Sequence, residues 1–440
     1  MSASSASAAL GGLYDYGYVL QRALEGSARA RFFSGGFADS QLAAVDAHFG
    51  RLLERLRAGR CAAELDAPLA LEWAAEDFGA PPPPPRASGG SCGACGCGRG
   101  RRAAAPLRAV VMREAFARSP LAALLDGGAE RMQLLYVADE RAARPWEVAA
   151  SRGQLSSSSA AATATATAAP PAVIAVVLPA TGEQGYRDRL EVARTLISRA
   201  AQPTAVLILM APYYASRKPA GQRGHFSRTV GAYQAQSAAI SMEAAALLAW
   251  AHAFAPRARL CATGFSWGAA MASGASMLAS LALPRGVAAR QLCVAPYVGS
   301  ASPVALLTGL LAMDVDFRAL EAEGGGAARE RLLAIFRRSN FRAFLDAMRE
   351  SAALASAPLV GAVSSVSMGS DAFVSQTEAR QLHEMLADAA AAASQTSQAA
   401  RVRAVVHGGG HASAAARRGV WQVAAIEDAL AMLPGGESAS

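Results

Sequence analysis

Six short runs, at residues 173–178, 205–210, 260–262, 291–295, 359–368 and 402–406, are almost wholly apolar and rich in β-branched side chains. Stretches of helical periodicity separate them, one carrying Leu190, Ala193 and Ile197, another an alanine-rich segment at 229–254. A sheet with one wet face alternates apolar and polar residues, whereas strands apolar on both faces need cover on both. Strand and helix alternating in this way predict an α/β fold with a mainly parallel central sheet flanked by helices.

The rest of the chain is less regular. Residues 14–57 read as helical in two pieces broken at Gly35-Gly36, 107–125 as helical, and 132–137 as a short strand. Two stretches, 81–102 (proline, then glycine, serine, cysteine and arginine) and 151–169 (serine, alanine and threonine), have compositions that bury no core. The expected organisation is an N-terminal helical segment at 1–76, a low-complexity insertion at 77–106, and one α/β domain at 107–440 interrupted by a second insertion at 151–170. Within that domain 300–350 is mainly helical and apolar at its start, with Val304, Leu306, Leu307, Leu310, Leu311 and Met313. It is either a lid over an apolar pocket or ordinary core packing.

Composition excludes several classes. Hydrophobic residues make up 52% of 440, ample for a core, so this is not a disordered chain. The net charge of +8 is almost all arginine, with Lys218 the only lysine, and reads as dispersed surface charge. No nucleic-acid-binding motif accompanies it, so no nucleic acid is expected as a partner, while contact with an anionic membrane surface stays open. Cys61, Cys261 and Cys293 are isolated and expected to be reduced. Cys92, Cys95 and Cys97 lack a fourth ligand for zinc, so neither metal nor organic cofactor is expected. The longest stretch free of charge and proline, 260–283, is broken by glycine and serine, and no transmembrane helix is expected. A Ser/Ala-rich start followed by Arg22, Arg29 and Arg31 suits an organelle transit peptide rather than a secretory signal. The expected location is intracellular, mitochondrial or another organelle, or else cytoplasmic, and not secreted.

The chemistry centres on Gly264-Phe265-Ser266-Trp267-Gly268, between the apolar run at 260–262 and the small residues 268–272. A Gly-x-Ser-x-Gly pentapeptide between a strand and a helix is a nucleophile elbow: small flanking residues permit the strained turn that lifts the serine clear of the sheet. The pattern alone decides little, since it is expected by chance roughly 0.3 to 0.4 times at this glycine content, and Gly89-Gly90-Ser91-Cys92-Gly93 also fits it. Context favours Ser266. A serine nucleophile needs a base and an orienting carboxylate, which follow it in this fold in the order acid, then histidine. Downstream, His383 lies inside a helical stretch and is expected at the surface, and His407 ends the last strand. His411 follows Gly408-Gly409-Gly410 and is favoured over His407, because the loop after the final strand suits a base. Asp371 lies just past the strand at 359–368 and before a Ser375–Glu378 capping box, with Asp314 and Asp316 in reserve one strand too early. The oxyanion hole is expected from the Trp267 N–H and that of Ala180 or Thr181, in Pro179-Ala180-Thr181-Gly182.

These segments together resemble the α/β-hydrolase domain-containing protein 18 family. The resemblance lies in Leu178-Pro179-Ala180-Thr181-Gly182-Glu183, the elbow, Ser370-Asp371-Ala372-Phe373-Val374 and Gly409-Gly410-His411-Ala412-Ser413-Ala414. Most distinctive is Pro212-Tyr213-Tyr214-Ala215-Ser216-Arg217-Lys218-Pro219, and Arg31-Phe32-Phe33 ahead of Gly35-Gly36-Phe37 looks like the family's start. Where the family's first loop runs Ala-Gly-Thr-Gly-Asp-His, this chain has Pro179, Ala180, Glu183 and Gln184 at four of the six positions, and Phe265 and Trp267 are bulky choices expected to narrow the pocket. The resemblance implies a serine hydrolase of the α/β-hydrolase fold acting on an acyl ester, small or lipid, with a phospholipid such as cardiolipin as an implied substrate. Tyr213, Tyr214, Arg217 and Lys218 are candidate substrate-binding residues, the last two to hold phosphate or merely to cap a loop. The rival reading is a catalytically silent binding or scaffold protein on the same fold.

Overall fold

In a computed structural model, the apolar runs assemble into one nine-stranded sheet. The structure describes residues 15, 31–60, 63–78, 108–148, 168–220, 222, 224, 226–351, 358–391 and 401–434. The expectations for the insertion at 81–102, for most of 151–169, for Cys61, Cys92, Cys95 and Cys97, and for residues 1–30 other than Asp15 lie outside these residues.

The strands are β1 (Glu72–Trp73), β2 (Val110–Arg118), β3 (Arg131–Asp139), β4 (Val173–Leu178), β5 (Thr204–Met210), β6 (Arg259–Phe265), β7 (Leu292–Tyr297), β8 (Ala362–Met368) and β9 (Val402–His407). They lie in the order β1-β2-β3-β5-β4-β6-β7-β8-β9. The first three and β5 pair antiparallel; from β5 onward every pairing is parallel. Every residue of β4, β5 and β7 is buried, as two-sided cover demands. Edge strand β9 is instead largely exposed, and Arg401 and Arg403 mark it against further pairing.

Helix was expected over 107–125, but β2 and a short 3₁₀ turn stand there. Met112 and Ala115, three apart and both buried, imitate a helical face, while Val110 and Val111 favour extended backbone. The nine-residue hairpin partner β3 decides between them. The strand expected at 132–137 is this β3.

Ten helices of six or more residues complete the described fold: α1 (Asp39–Arg57), α2 (Arg187–Arg199), α3 (Val230–Phe254), α4 (Trp267–Ala282), α5 (Phe317–Gly324), α6 (Ala328–Arg338), α7 (Arg342–Glu350), α8 (Gln376–Ala391), α9 (His411–Ala416) and α10 (Arg418–Ala431). Helices α3 and α4 pack on each other and over β4 and β6; α2 and α10 pack together over β5 to β8. By length and composition α3 could cross a membrane, but 72% of its most apolar window is buried within the fold. Its alanines and serines let α4 approach closely, and Thr229 caps it by accepting from Ala232 N–H at 3.0 Å.

The segment at 32–37 is stitched into the domain. Phe32, Phe33 and Phe37 are fully buried. Phe32 N–H donates to Asp314 O at 2.8 Å and its carbonyl accepts from Asp316 N–H at 2.8 Å. Asp316 also caps α5 through its side chain. Both reserve acids therefore serve this junction.

Beneath β5, Arg217 and Glu243 form a buried bidentate ion pair at 2.7 and 2.8 Å, and Arg217 also donates to the carbonyls of Met210 and Ala129. Removing one member leaves an uncompensated buried charge, so Glu243→Ala is expected to destabilise by about 3–5 kcal/mol, read from urea denaturation. A change under about 1 kcal/mol would show the pair to be water-relieved.

Candidate active site

Strand β4 has β5 on one side and β6 on the other, so the chain crosses over in opposite directions and leaves a crevice beyond the carboxyl ends of β4 and β6. The loop Pro179–Gly182 and the elbow both open into that crevice.

Ser266 has φ 57° and ψ −121°, a sparsely populated conformation for a non-glycine residue and a cost of about 1–3 kcal/mol. Its N–H donates to Tyr297 O, and its carbonyl accepts from Ala269 N–H, both at 2.9 Å. The flanking glycines are required by space. A Cβ on Gly264 would sit 2.4 Å from the Gly268 backbone, and one on Gly268 would sit 2.7 Å from Pro179 O and 2.8 Å from Leu178 O. The elbow is thus pressed against the first loop. Among the described residues no acceptor takes the N–H of Ala180, Thr181 or Trp267, the condition for N–H groups to receive an oxyanion. Gly182, at φ 88°, donates its N–H to Tyr214 Oη at 3.1 Å and so fixes the loop from behind.

Helix α9 opens with His411, whose Nδ1 lies 2.9 Å from Asp371 Oδ2. An ionised carboxylate only accepts, so Nδ1 carries the proton and Nε2 is left basic. The second Asp371 oxygen accepts from Phe373 and Val374 N–H at 2.7 and 2.9 Å, so the acid also closes its own turn. The Ser375–Glu378 capping box forms as expected and ends that loop. The His411 ring is held between Phe265, at 4.7 Å, and Phe373, at 4.8 Å. Among the described residues Ser266 Oγ makes no hydrogen bond; catalytic contacts are often long before substrate closes them.

Ser266 lines a cavity of about 40 Å³ with Thr181, Trp267, Leu306, Leu311, Phe341 and Phe373. A second, of about 370 Å³, lies between α1, α3, α4 and α7 and is bordered by Phe49, Leu53, Ala238, Met242, Leu278 and Phe344. Met271, Pro303 and Phe341 line both and separate them. Within the helical stretch at 300–350, Leu306 and Leu311 line the serine's cavity, while Leu320, Leu332 and Phe336 are buried in the core.

Not all candidates gather here. His407 stacks on Trp421 at 4.3 Å and 7°, and burial lowers its pKa. His383, expected at the surface, is half-buried with Nδ1 2.8 Å from Ser365 Oγ. None of Tyr213, Tyr214, Arg217 and Lys218 lines either cavity. Arg217 is taken up by Glu243, so its guanidinium is not turned to a ligand. The Tyr213 hydroxyl accepts from Asp126 N–H at 3.4 Å, and burial, then the Asp126 charge, pushes its pKa up to about 12. Lys218 is only half-buried and follows the short turn Ala215–Arg217. Phe265 lies tilted against the imidazole rather than lining the cavity, whereas Trp267 does line it, stacked on Tyr233 at 6.0 Å. The unusual loop residues are compensated: Glu183 pairs with Arg189 and Arg418, and Gln184 accepts from Ala215 N–H.

Residues 157–430 match the family model described as Alpha/beta hydrolase domain containing 18, more than half of the chain. This chain belongs to that family. Its fold is that of the α/β-hydrolases. Solved structures similar to it include TT1662 from Thermus thermophilus, 16% identical, covering 67% of this chain and 92% of that one with a TM-score of 0.40. Acetyl xylan esterase 1 from Thermoanaerobacterium sp. JW/SL YS485 is 10% identical, covering 87% and 91% with a TM-score of 0.39. A cold-adapted esterase from an Arctic intertidal metagenomic library is 12% identical, covering 81% and 98% with a TM-score of 0.37. No curated protein matches the chain.

Because a Cβ on Gly264 meets only backbone, Gly264→Ala is expected to destabilise by at least about 1–3 kcal/mol and lower the urea midpoint. An unchanged midpoint would mean that the elbow is not packed as described.

Proposed function

We propose that this family member is a serine hydrolase that cleaves the acyl ester of a lipid. The observation that carries the reading is the strained Ser266 elbow beside a part-buried Asp371–His411 pair, with N–H groups at Trp267 and at Ala180 or Thr181 unengaged among the described residues. In the proposed reaction His411 Nε2 takes the Ser266 hydroxyl proton as Oγ attacks the acyl carbonyl carbon. The carbonyl oxygen becomes an oxyanion at the N–H groups of Trp267 and the 180–181 loop. Thr181 borders the serine's cavity, which favours it over Ala180 as second donor. The tetrahedral species collapses to an acyl-enzyme, and the imidazolium returns its proton to the leaving alcohol. Water, deprotonated by the same imidazole, then frees the acid and restores Ser266. Asp371 keeps the tautomer throughout, and Phe265 and Phe373 keep the ring in plane.

A lipid acyl chain is supported by the cavity of about 370 Å³ behind Met271, Pro303 and Phe341. Small acyl groups need no such space next to a cavity of about 40 Å³. The net charge of +8 favours approach to an anionic lipid surface, in keeping with the phospholipid, such as cardiolipin, that the family resemblance implies. A mitochondrial or other membrane-bearing compartment is proposed accordingly.

Treating the protein with a fluorophosphonate probe tests the chemistry: labelling of wild type is expected, abolished by Ser266→Ala and by His411→Ala. Asp371→Asn is expected to cut ester turnover about 10⁴-fold with the fold retained, as loss of the correct tautomer does in such triads. Folded wild type that resists the probe would favour the scaffold reading instead. For the substrate, Ala238→Leu on α3 narrows the larger cavity. It is expected to lower kcat/KM for long-chain esters at least about 10-fold more than for acetate esters, since each buried methylene contributes about 0.8 kcal/mol. Equal losses on both would remove the acyl chain from that cavity.

A further inference from the structure

Asp15 is fully buried, far upstream of the matched residues 157–430, and its carboxylate reaches the catalytic loops. Oδ2 accepts from His411 N–H at 3.1 Å and Ala372 N–H at 3.3 Å, and Oδ1 accepts from Ala412 N–H at 2.9 Å. No cation pairs with it among the described residues. Burying a carboxylate is costly unless donors hold its charge, and these three N–H groups do so. Two of those donors are the first N–H groups of α9, which starts with the base itself; the third belongs to the residue after the acid.

We infer that Asp15 is a positioning residue that ties the loop of Asp371 to the start of the helix of His411. The loops share only two backbone bonds of their own among the described residues, Gly369 N–H to His407 O at 2.8 Å and Ser370 N–H to Gly409 O at 2.9 Å. Both lie before the catalytic pair in each loop. Asp15 bonds at and just beyond it, closing the far side of a ring around the Nδ1–Oδ2 contact. Asp15 thereby belongs to the candidate active site. This inference rests on the serine hydrolase reading for its catalytic consequence but not for its geometry.

The test is Asp15→Asn, which keeps size but replaces one acceptor by an NH₂ group facing N–H donors. Two readouts are taken on the full chain. The first is fluorophosphonate inactivation, with the maximal rate separated from probe affinity; the rate is expected to fall about 10-fold or more at unchanged affinity. The second is the low-field proton resonance of His411 Nδ1, assigned by its loss in His411→Gln, which is expected to broaden or vanish. Asp15→Glu, retaining the carboxylate, is expected to restore part of both. If the wild type resists the probe yet the resonance responds to Asp15→Asn, the hydrolase reading fails and the positioning role stands. If folded Asp15→Asn matches wild type in both rate and resonance, the inference is overturned. A fall in melting temperature with both readouts unchanged would likewise overturn it, since it would show a structural role only.

Discussion

The arrangement depends on one backbone approach: Gly268 seated against the carbonyls of Leu178 and Pro179. Any side chain there would drive the elbow from the loop after β4, and with it the N–H of Trp267 from those of Ala180 and Thr181. The approach is made available by the parallel pairing of β4 with β6, which ends both strands at one level, Leu178 beside Gly264. The strain at Ser266 is carried by the same contacts, through Tyr297 O on one side and the first turn of α4 on the other. Sheet register, turn strain and the direction of the N–H groups are consequently a single problem with one solution, and the close-packed, fully apolar strands hold it rigid.

Asp371 and His411 are held by a different physics. Their loops leave the sheet at β8 and β9, at its edge, and share only two backbone bonds of their own among the described residues. Order is supplied by side chains instead: Asp371 closes its own turn while orienting His411, two phenylalanine rings hold the imidazole, and Tyr297 Oη donates to Ala414 O from beneath α9. Arg418 lies 5.0 Å over Phe265 and also pairs with Glu183, linking the aromatic contact on His411 to the loop that follows β4. Ser266 is held by the sheet, whereas His411 is steadied by a polar and aromatic shell, a division that suits the proton transfers proposed for His411.

Much of this was legible in the sequence because it is local. The six apolar runs, the pentapeptide, Asp371 before its capping box and His411 after three glycines each occupy a place the fold dictates in chain order, and each lies in a matching element. What failed was decided by partners remote in sequence. Residues 110–118 imitate a helical face and extend because β3 lies alongside. Phe265 looked like a plug and is a wall for the imidazole, a role visible only once α9 folds over it. Asp15 carried no signal, since its three donors stand more than three hundred residues away.

The most distinctive stretch of the family resemblance, at 212–219, shows why a motif beside an active site need not touch substrate. Arg217 and Lys218 suggested an anion site on residue type alone. A guanidinium bonded in fork geometry to a buried carboxylate and two carbonyls has few donors to spare, and moving it toward a ligand would strand Glu243 in the core. The neighbouring tyrosine works in the same sense, its hydroxyl receiving Gly182 N–H and so setting where the chain turns after Thr181. Through Tyr214 the stretch supports the loop at 179–182 from behind. Its Tyr214 fixes the turn at Gly182 and its Arg217 closes the core around Glu243, both from buried positions.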